Sequence, residues 1–516
     1  MNERQAPVMI DLRLLPAAAS TWAATWWATS RPPPWPLAAA LLVLCCATSA
    51  SYAYSRRHTH PPRHARTPPR SARMGVALLC ACLACTLAVA GMARQRYDAD
   101  PARREAGPIR ARVVLEDDPA PSPSGHVARR RARVRITEVF DGIRWTPSQA
   151  RALVSAPGWE DAARGDVFEV TGTLDPSFAS APPSVGAVRA RRASLIERPG
   201  GVYAWMRVTH RSFVAACETL PGHARALVPG MAVGDARLLS ADLAEAMKMT
   251  SLTHLTAVSG SHIVIILAAL NLVLPARKVL RLVATAVVLC GIVILVGPQP
   301  SVLRSVCVAA VACLGLILGR EGQAVAALSG VVIVTLILDP WASRSYGFAL
   351  SCLAALALVG PSAALIRRAR RRLRADTRLG RAVRALVEGT CVPALAEVFT
   401  APLIVSLSGT VPVWGIAANV LAEPAVPLVT LSGLAGALLA PVSPTVASAC
   451  AWLASWGTAW IAALAHFFSG LPASGIQVPG GPPTLLSLYA CAGAGWGAWA
   501  AWRRWGAPVV QEARGR

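Results

Sequence analysis

Polar side chains that could do chemistry are concentrated in one short stretch, HLTAVSGSHIVII, at residues 254–266. Its two histidines, His254 and His262, could act as general bases, as metal ligands or as hydrogen-bonding groups on a hydrated path. On one continuous helix, positions 254, 258, 261 and 262 would share a face, because three or four residues make about one turn. Between the histidines lie the Ser259 hydroxyl group and Gly260, which allows a close backbone approach or a bend.

The spacing does not favour a metal centre. The two histidines are separated by eight positions with no carboxylate nearby. Cys82 and Cys85 have the spacing of a metal site, but they lie in an apolar segment without further ligands. We therefore expect no metal, no cofactor and no enzymatic reaction.

Further polar residues are predicted to lie at membrane depth, namely Arg304, Glu397, Asn419 and Glu423. Burying an ionisable group in hydrocarbon is costly unless the group is paired or hydrated, so these residues are candidates for a translocation path. Structural interpretations stay open for several of them. His254 could lie at a helix end in the interface, and His262 could bond to another helix. Arg304 could reach the outer interface, and the glutamates could form a mutual structural network.

The elements that must position these residues are membrane helices. The chain has 516 residues, of which 54% are hydrophobic and 15% charged, and its mean hydropathy is +0.46. A soluble protein of this length would need far more polar surface. The apolar runs predict a polytopic α-helical membrane protein of about 11–12 spans. The run at 412–440 contains Pro424 and Pro427, which predict a broken or re-entrant helix beside Glu423.

Residues 94–200 differ in kind from the rest of the chain. They contain alternating runs such as RARVVLE, RARVRITEVF and DVFEVTGTL, separated by Pro, Gly, Ser and Asp, which predict short β-strands. The length of this region suits one small β-barrel inserted between membrane helices. It contains no cysteine.

Arginine distribution predicts the orientation. The loop at 55–73 is dense in arginine and is expected in the cytoplasm, which puts residues 94–200 outside. The most basic run, at 367–388, then lies inside, as an amphipathic helix on anionic lipid or as a contact for nucleic acid. The predicted divisions are N-terminal membrane helices at 1–93, the outer β domain at 94–200, amphipathic connecting helices at 201–251, the helical core at 252–505 and a cytoplasmic tail at 506–516.

Several motifs follow one another along the chain. They are GDVFEVTGTL at 165–174, HLTAVSGSHI at 254–263, PSVLRSVCVAAV at 300–311, LDPWASRSYGFALSCLA at 338–354 and APLIVSLSGTVPVWGIAANVLAEPAVPLV at 401–429. In this combination the chain resembles the ComEC family of competence membrane proteins, over nearly its whole length from residue 15 onward.

The resemblance implies a channel that moves one strand of DNA across the bacterial inner membrane during natural transformation, with an OB-like outer domain that binds single strands through a positive groove. Candidate DNA contacts in that domain are Arg129, Arg131, Arg133 and Arg135. Candidate translocation residues are His254, Ser259, Gly260, His262, Arg304, Glu397, Asn419 and Glu423. The expected partners are single-stranded DNA, membrane lipid, a DNA receptor outside and a separate ATPase or helicase inside, because no P-loop motif is present. The oligomeric state stays open.

The chain departs from the family pattern in three respects. Many relatives carry a C-terminal metallo-β-lactamase-like domain, whereas this sequence has no HxHxDH motif, so we expect no nuclease activity. The extracellular disulfide of some relatives cannot form without cysteine in residues 94–200. Ser261 stands where leucine is common in the signature, which makes this stretch more polar.

Two other functions stay open. A small-solute or ion transporter would have a closed site at the broken helix near Pro424. A membrane-embedded hydrolase would use His254 or His262 as a base, although no nucleophile elbow or metal constellation accompanies them.

Overall fold

The computed structural model describes residues 14–30, 70–103, 106–121, 129–178, 182–256, 258–275, 277–297, 302–303, 305–310, 324–372, 377–481 and 483–490. Several predicted features lie outside the described residues. They are the span at 37–53, most of the basic loop at 55–73, much of the spans at 302–319 and 484–502, Arg304 and the tail at 506–516.

Two helices and then a β region form the N-terminal part. The helices are α1 (Leu15–Ser30) and α2 (Arg70–Asp98). The strands are β1 (Gly107–Leu115), β2 (Ala120–Pro121), β3 (Arg129–Phe140), β4 (Trp145–Pro147), β5 (Arg151–Pro157), β6 (Val167–Asp175) and β7 (Ser184–Glu197). The predicted β region is confirmed. The runs RARVVLE, RARVRITEVF and DVFEVTGTL lie largely within strands, because alternation of apolar and polar residues buries one face of a strand.

Among themselves, the five longest strands each pair with two others. β1 pairs with β3 and β6, β3 with β5, and β6 with β7, all antiparallel, while β5 and β7 are parallel. The succession of pairings therefore returns to β1. Alternate side chains are buried in an apolar core that includes Trp159 and Phe168, whose ring centroids are 5.5 Å apart. The other face of β3 carries mainly charged side chains, whereas β5 and β7 also expose Leu153, Leu195 and Ile196.

Three short helices lead from the strands into the helical core. They are α3 (Val202–Cys217), α4 (Ala224–Val233) and α5 (Ala241–Met249). Every residue of α4 except Arg225 is buried, and Phe213 of α3 and Met247 of α5 are fully buried as well. These helices pack against the later membrane helices in one apolar cluster.

The core continues with α6 (Gly260–Val273), α7 (Lys278–Val296), α8 (Ala324–Leu338), α9 (Tyr346–Ala357), α10 (Ala363–Arg372), α11 (Arg378–Ser408), α12 (Gly415–Ala422), α13 (Val426–Leu439) and α14 (Pro444–Ser469). Among the described residues, five helical segments are long and apolar enough to cross a membrane: Lys278–Val296, Tyr346–Arg370, Arg378–Ser408, Gly415–Leu439 and Pro444–Ser469. The predicted multi-pass architecture is thereby supported.

The helix at 412–440 is broken, as predicted. A 3₁₀ turn at Glu423–Ala425 separates α12 from α13, and Pro424 lies within that turn. The proline has no backbone N–H to donate to the preceding turn, so the α-helical hydrogen bonding is interrupted there. The residues before α12 are not helical either, because Thr410–Pro412 pairs with Gly475–Gln477 as a short two-stranded sheet.

Two helical predictions are wrong. Residues 252–259 do not belong to α6, because Thr253–Thr256 is a 3₁₀ turn and Ser259 is extended immediately before Gly260. His254 and His262 therefore do not share a face of one helix. The basic run at 367–388 also does not form one helix, because Thr377 is extended and caps the start of α11.

Folding the basic run into two helices brings Arg370 on one helix to Glu388 on the other. Glu388 on α11 accepts hydrogen bonds from Arg370 on α10 and from Arg384, at 2.7 Å and 2.9 Å. The carboxylate thereby reduces repulsion between neighbouring arginines.

Candidate functional site

A buried polar cluster joins α11, α12 and the residues before α6. Glu397 on α11 is 8% exposed, and its Oε2 accepts a hydrogen bond from Asn419 Nδ2 at 3.4 Å. The same amide donates to the Gly415 carbonyl oxygen at 2.9 Å. A Cβ atom at Gly415 would lie 3.1 Å from Glu397 Oε1 and 3.2 Å from the Ser251 Cβ, so the glycine lets these groups come together. We call Ser251, Glu397, Gly415 and Asn419 the polar centre.

His254 is connected to the polar centre through Ser251. Its Nδ1 donates to the Ser251 carbonyl oxygen at 2.9 Å, which leaves Nε2 as an acceptor on the neutral ring. Ser251 has φ of 58°, a left-handed conformation that costs of order 1–3 kcal/mol for a residue with a side chain. The polar centre thus contains a strained backbone position, a feature often found at functional sites.

His262 occupies a different place, in the first turn of α6. Its Nδ1 accepts a hydrogen bond from the Ser259 backbone N–H at 3.0 Å and lies 2.9 Å from the Ser259 hydroxyl. That hydroxyl is 2.7 Å from the Ser261 hydroxyl. An accepting Nδ1 places the proton of the neutral ring on Nε2. This Nε2 is buried and has no hydrogen-bond acceptor among the residues that the structure describes.

The remaining predicted path residues are more dispersed. Gly260 lies at ordinary contact distance from another segment, because a Cβ there would be 3.5 Å from Ser305 Oγ. Glu423 lies in the turn between α12 and α13, and no hydrogen bond between described residues links its side chain to the polar centre. Within the described ranges, no group of three or more His, Cys, Asp or Glu side chains could hold a metal ion.

The structure therefore brings together three of the predicted residues, His254, Glu397 and Asn419. It adds Ser251 and Gly415, which the sequence analysis missed. Neither has a residue type that is unusual in a membrane segment, and only the tertiary contacts give them a role. The sequence offered no separate signal for them.

Arginines cover the outward side of β3, β5 and β7. Arg131, Arg133 and Arg135 on β3 are exposed and alternate with buried apolar residues. Arg131 is opposite Ser155 on β5, and Ser155 is in turn opposite Arg189 on β7. Strand pairing thus places basic residues from distant parts of the sequence in one row.

Ion pairing divides these arginines into two groups. Arg133 pairs with Asp117 at 2.5 Å, and the hydrogen bond that it donates to the Asp117 carboxylate, together with the nearby acidic charge, raises the pKa of the Arg133 guanidinium. Arg151 pairs with Glu116 at 3.1 Å. A second group is exposed and forms no ion pair within the described residues, and we call it the arginine face: Arg131, Arg135, Arg189, Arg191 and Arg192.

Arg129, also predicted to contact DNA, forms hydrogen bonds within the β domain. Its Nη2 donates to the carbonyl oxygens of Ser155 and Ala190, so the side chain bridges β5 and β7. The β7 arginines were missed, although the alternation in AVRARRASL at 187–195 was a usable signal.

Comparison with known proteins assigns the helical part of the chain to a protein family. Residues 231–504, more than half of the chain, match the family described as Competence protein. No curated protein and no solved structure is detectably similar. The matched residues begin in α4 and include His254, His262 and the whole polar centre. With its apolar helices, the match supports a multi-pass membrane protein with a role in DNA uptake for transformation. The chain belongs to the competence protein family.

Proposed function

We propose that this protein is a bacterial inner-membrane channel that passes single-stranded DNA into the cytoplasm during natural transformation. The observation that carries the proposal is the arginine face, a row of cations without ion pairs in the described part of a β domain that leads directly into a competence-family helical core. Unpaired arginines attract phosphates, and the release of counterions favours strand binding. A purely structural surface has no need for such a concentration of one charge.

The β domain is, in this proposal, an OB-like barrel. Its five long strands follow the pairing order β1–β3–β5–β7–β6 and back to β1, with the β5–β7 pair parallel. OB folds are five-stranded Greek-key barrels of this kind, and they bind oligonucleotides on one face of the sheet. The arginine face spans β3 and β7, on either side of β5, which is a suitable surface for a phosphodiester backbone.

The channel is proposed to run through the helical core, with the β domain outside the cell and residues 367–388 in the cytoplasm. The polar centre and the His262 Nε2–H supply hydrogen-bonding groups inside an otherwise apolar region. Unpartnered polar groups at membrane depth are stable where they line a hydrated path. Arg304 and Glu423 stay candidates for the same path.

The proposal assigns the protein no catalytic step and no cofactor. Its partners would be the strand itself, membrane lipid, a DNA receptor outside and a separate ATPase or helicase inside. The sequence contains no P-loop motif that could hydrolyse a nucleotide. The work of transport would therefore come from such a partner or from the membrane potential.

A gene deletion tests the proposal. Transformation frequency would be measured with external double-stranded and single-stranded DNA, in the deletion strain and in the same strain complemented with the wild-type gene. We expect a loss of transformation with both substrates and recovery on complementation. Undiminished transformation in the deletion strain would refute the proposed function.

A small-solute or ion transporter is the second candidate. It is favoured by the helix break at Pro424 and by the buried Glu397–Asn419 contact, which together resemble a site at a discontinuous helix. That function would not require the arginine face. Glutamine at Arg131 and Arg189 would leave solute transport unchanged, whereas the channel proposal expects reduced DNA uptake.

A further inference from the structure

A cavity of about 370 Å³ lies where the β domain meets α3 and the turn between α4 and α5. Two of its lining residues are almost completely buried, Arg164 before β6 and His210 on α3, at 9% and 8% exposure. Exposed carboxylates, Glu160 and Glu218, belong to the same lining. The floor of the cavity thus holds Arg164 and His210 beside the equally buried Asp235, which is paired with Arg237, while Glu160 and Glu218 lie at the solvent side.

Arg164 and His210 both contact the C-terminal end of α7. The Arg164 guanidinium lies against Gly297, which has φ of 89° and follows the last helical residue. His210 Nε2 donates to the Leu295 carbonyl oxygen at 2.7 Å. The carbonyl end of a helix carries roughly half a negative charge, so it balances only part of the charge on one arginine.

Arg207 and Arg237 of the lining have carboxylate partners, whereas the Arg164 guanidinium has none among the residues that the structure describes. Arg237 pairs with Asp235 at 2.5 Å, and Arg207 pairs with Asp166 at 2.8 Å. Asp118 contacts Arg164 only through the backbone N–H, at 2.8 Å.

Burial lowers the pKa of the Arg164 guanidinium, although the nearby acidic groups oppose that shift. An arginine nevertheless stays protonated in proteins. A buried charge without a full counter-ion is costly, so the floor of the cavity favours an anion.

Arg130 strengthens the case for an oxyanion. It lines the cavity from β3, and its one hydrogen bond to a described residue runs from Nη1 to the Pro119 carbonyl oxygen at 3.3 Å. Arginine carries five N–H donors in a fork that matches a phosphoryl group. The acidic residues at the solvent side would repel a long polyanion lying across the opening, so the ligand presents one phosphoryl group.

We propose that this cavity binds a single phosphoryl group, with Arg164 as its counter-ion and Arg130 as a second donor. The group would come from the terminal phosphate of a DNA strand or from a phospholipid headgroup, since both present the same chemistry. The site is separate from the arginine face. Binding of a DNA terminal phosphate rests on the proposed function, whereas binding of a phospholipid headgroup does not.

The test measures binding of inorganic phosphate to the purified full chain in detergent, at constant ionic strength set with chloride. We expect saturable binding to the wild type, at least tenfold weaker binding to Arg164→Gln, and several-fold weaker binding to Arg130→Gln. Glutamine at 164 keeps donors for the end of α7 but removes the charge. Arg211→Gln is the matched control, because Arg211 lines the same cavity but is exposed and lies near Asp161.

Absence of saturable phosphate binding to the wild type would overturn the proposal, and so would unchanged binding to folded Arg164→Gln and Arg130→Gln. Competition identifies the source. Displacement by a 5′-phosphorylated oligonucleotide but not by its 5′-hydroxyl form supports a strand end, displacement by glycerol phosphate supports a headgroup, and displacement by neither overturns the assignment. Binding of the 5′-hydroxyl oligonucleotide to the arginine face is measured separately. Loss of phosphate binding with retained oligonucleotide binding would therefore refute the cavity site and leave the proposed function standing.

Discussion

Removal of the arginine face should weaken single-strand binding in a manner that salt dependence can quantify. The perturbation is the triple variant Arg131→Gln, Arg135→Gln and Arg189→Gln. All three side chains are exposed and lack ion pairs among the described residues, so none holds a carboxylate in place. The strand pairing of β3, β5 and β7 should be retained, because these side chains project from the sheet.

The magnitude follows from counting contacts. If each arginine meets one phosphate, the variant loses three contacts, and each contact with a single strand releases about 0.7 counterions. The slope of log affinity against log salt should then fall by about 2, and affinity at 0.1 M salt should fall by roughly 100-fold.

The assay is fluorescence anisotropy of a labelled 5′-hydroxyl oligothymidine with the purified full chain, over a salt series. The control is Arg110→Gln, because Arg110 lies on β1 and is already paired with Glu169 at 2.7 Å. We expect the control to keep the wild-type slope. An unchanged slope in the triple variant would refute the assignment of the arginine face, whatever the absolute affinity.

Three further predictions concern the helical core and the junction. Gly415→Ala should lower stability by about 1–3 kcal/mol and reduce transformation, because its Cβ would crowd the polar centre. Gly291→Ala is the control, because a Cβ there would have nothing within 4 Å, and it should change neither stability nor transformation. If Gly415→Ala and Gly291→Ala lowered the thermal unfolding midpoint equally, the crowding argument would be contradicted. His262→Ala, with expression verified, should lower transformation through loss of the Nε2–H donor, and normal transformation would remove His262 from the path. Burial raises the pKa of Asp235, but hydrogen bonds from Arg237 outweigh it and hold the pKa below its usual 3.8. The stabilisation by Asp235 is then fully present above that value and lost as pH falls through the lower folded pKa. The difference in thermal unfolding midpoint between the wild type and Asp235→Asn should therefore be constant near neutral pH and shrink only in strong acid. A difference that already shrinks above pH 5 would contradict the Asp235–Arg237 pairing.

Local patterns predicted the strands and the apolar character of the described membrane helices, because both depend on residues near one another in sequence. The alternation in RARVRITEVF lies within β3, and the apolar run near Pro424 is broken at that proline. The pairing of β1 with two other strands was not available from the pattern. It depends on β1 meeting both β3 and β6 across a long stretch of chain.

The candidate site was predicted in part. Glu397 and Asn419 were identified because ionisable and amide side chains are costly at membrane depth, and they do meet. The shared helical face of His254 and His262 was wrong. The 3₁₀ turn at Thr253–Thr256 and the extended Ser259 separate the two histidines, and neither conformation follows from the apolar pattern around them.

The most direct test of the central claim is strand import into liposomes that contain the purified protein. A complementary oligonucleotide trapped inside carries an acceptor dye, so pairing with an external donor-labelled strand both reports arrival and holds the strand inside. We predict that energy transfer rises with an external single strand and not with a preformed duplex, and that the Arg131, Arg135 and Arg189 triple variant slows the rise. Energy transfer no greater than in protein-free liposomes would contradict a DNA channel.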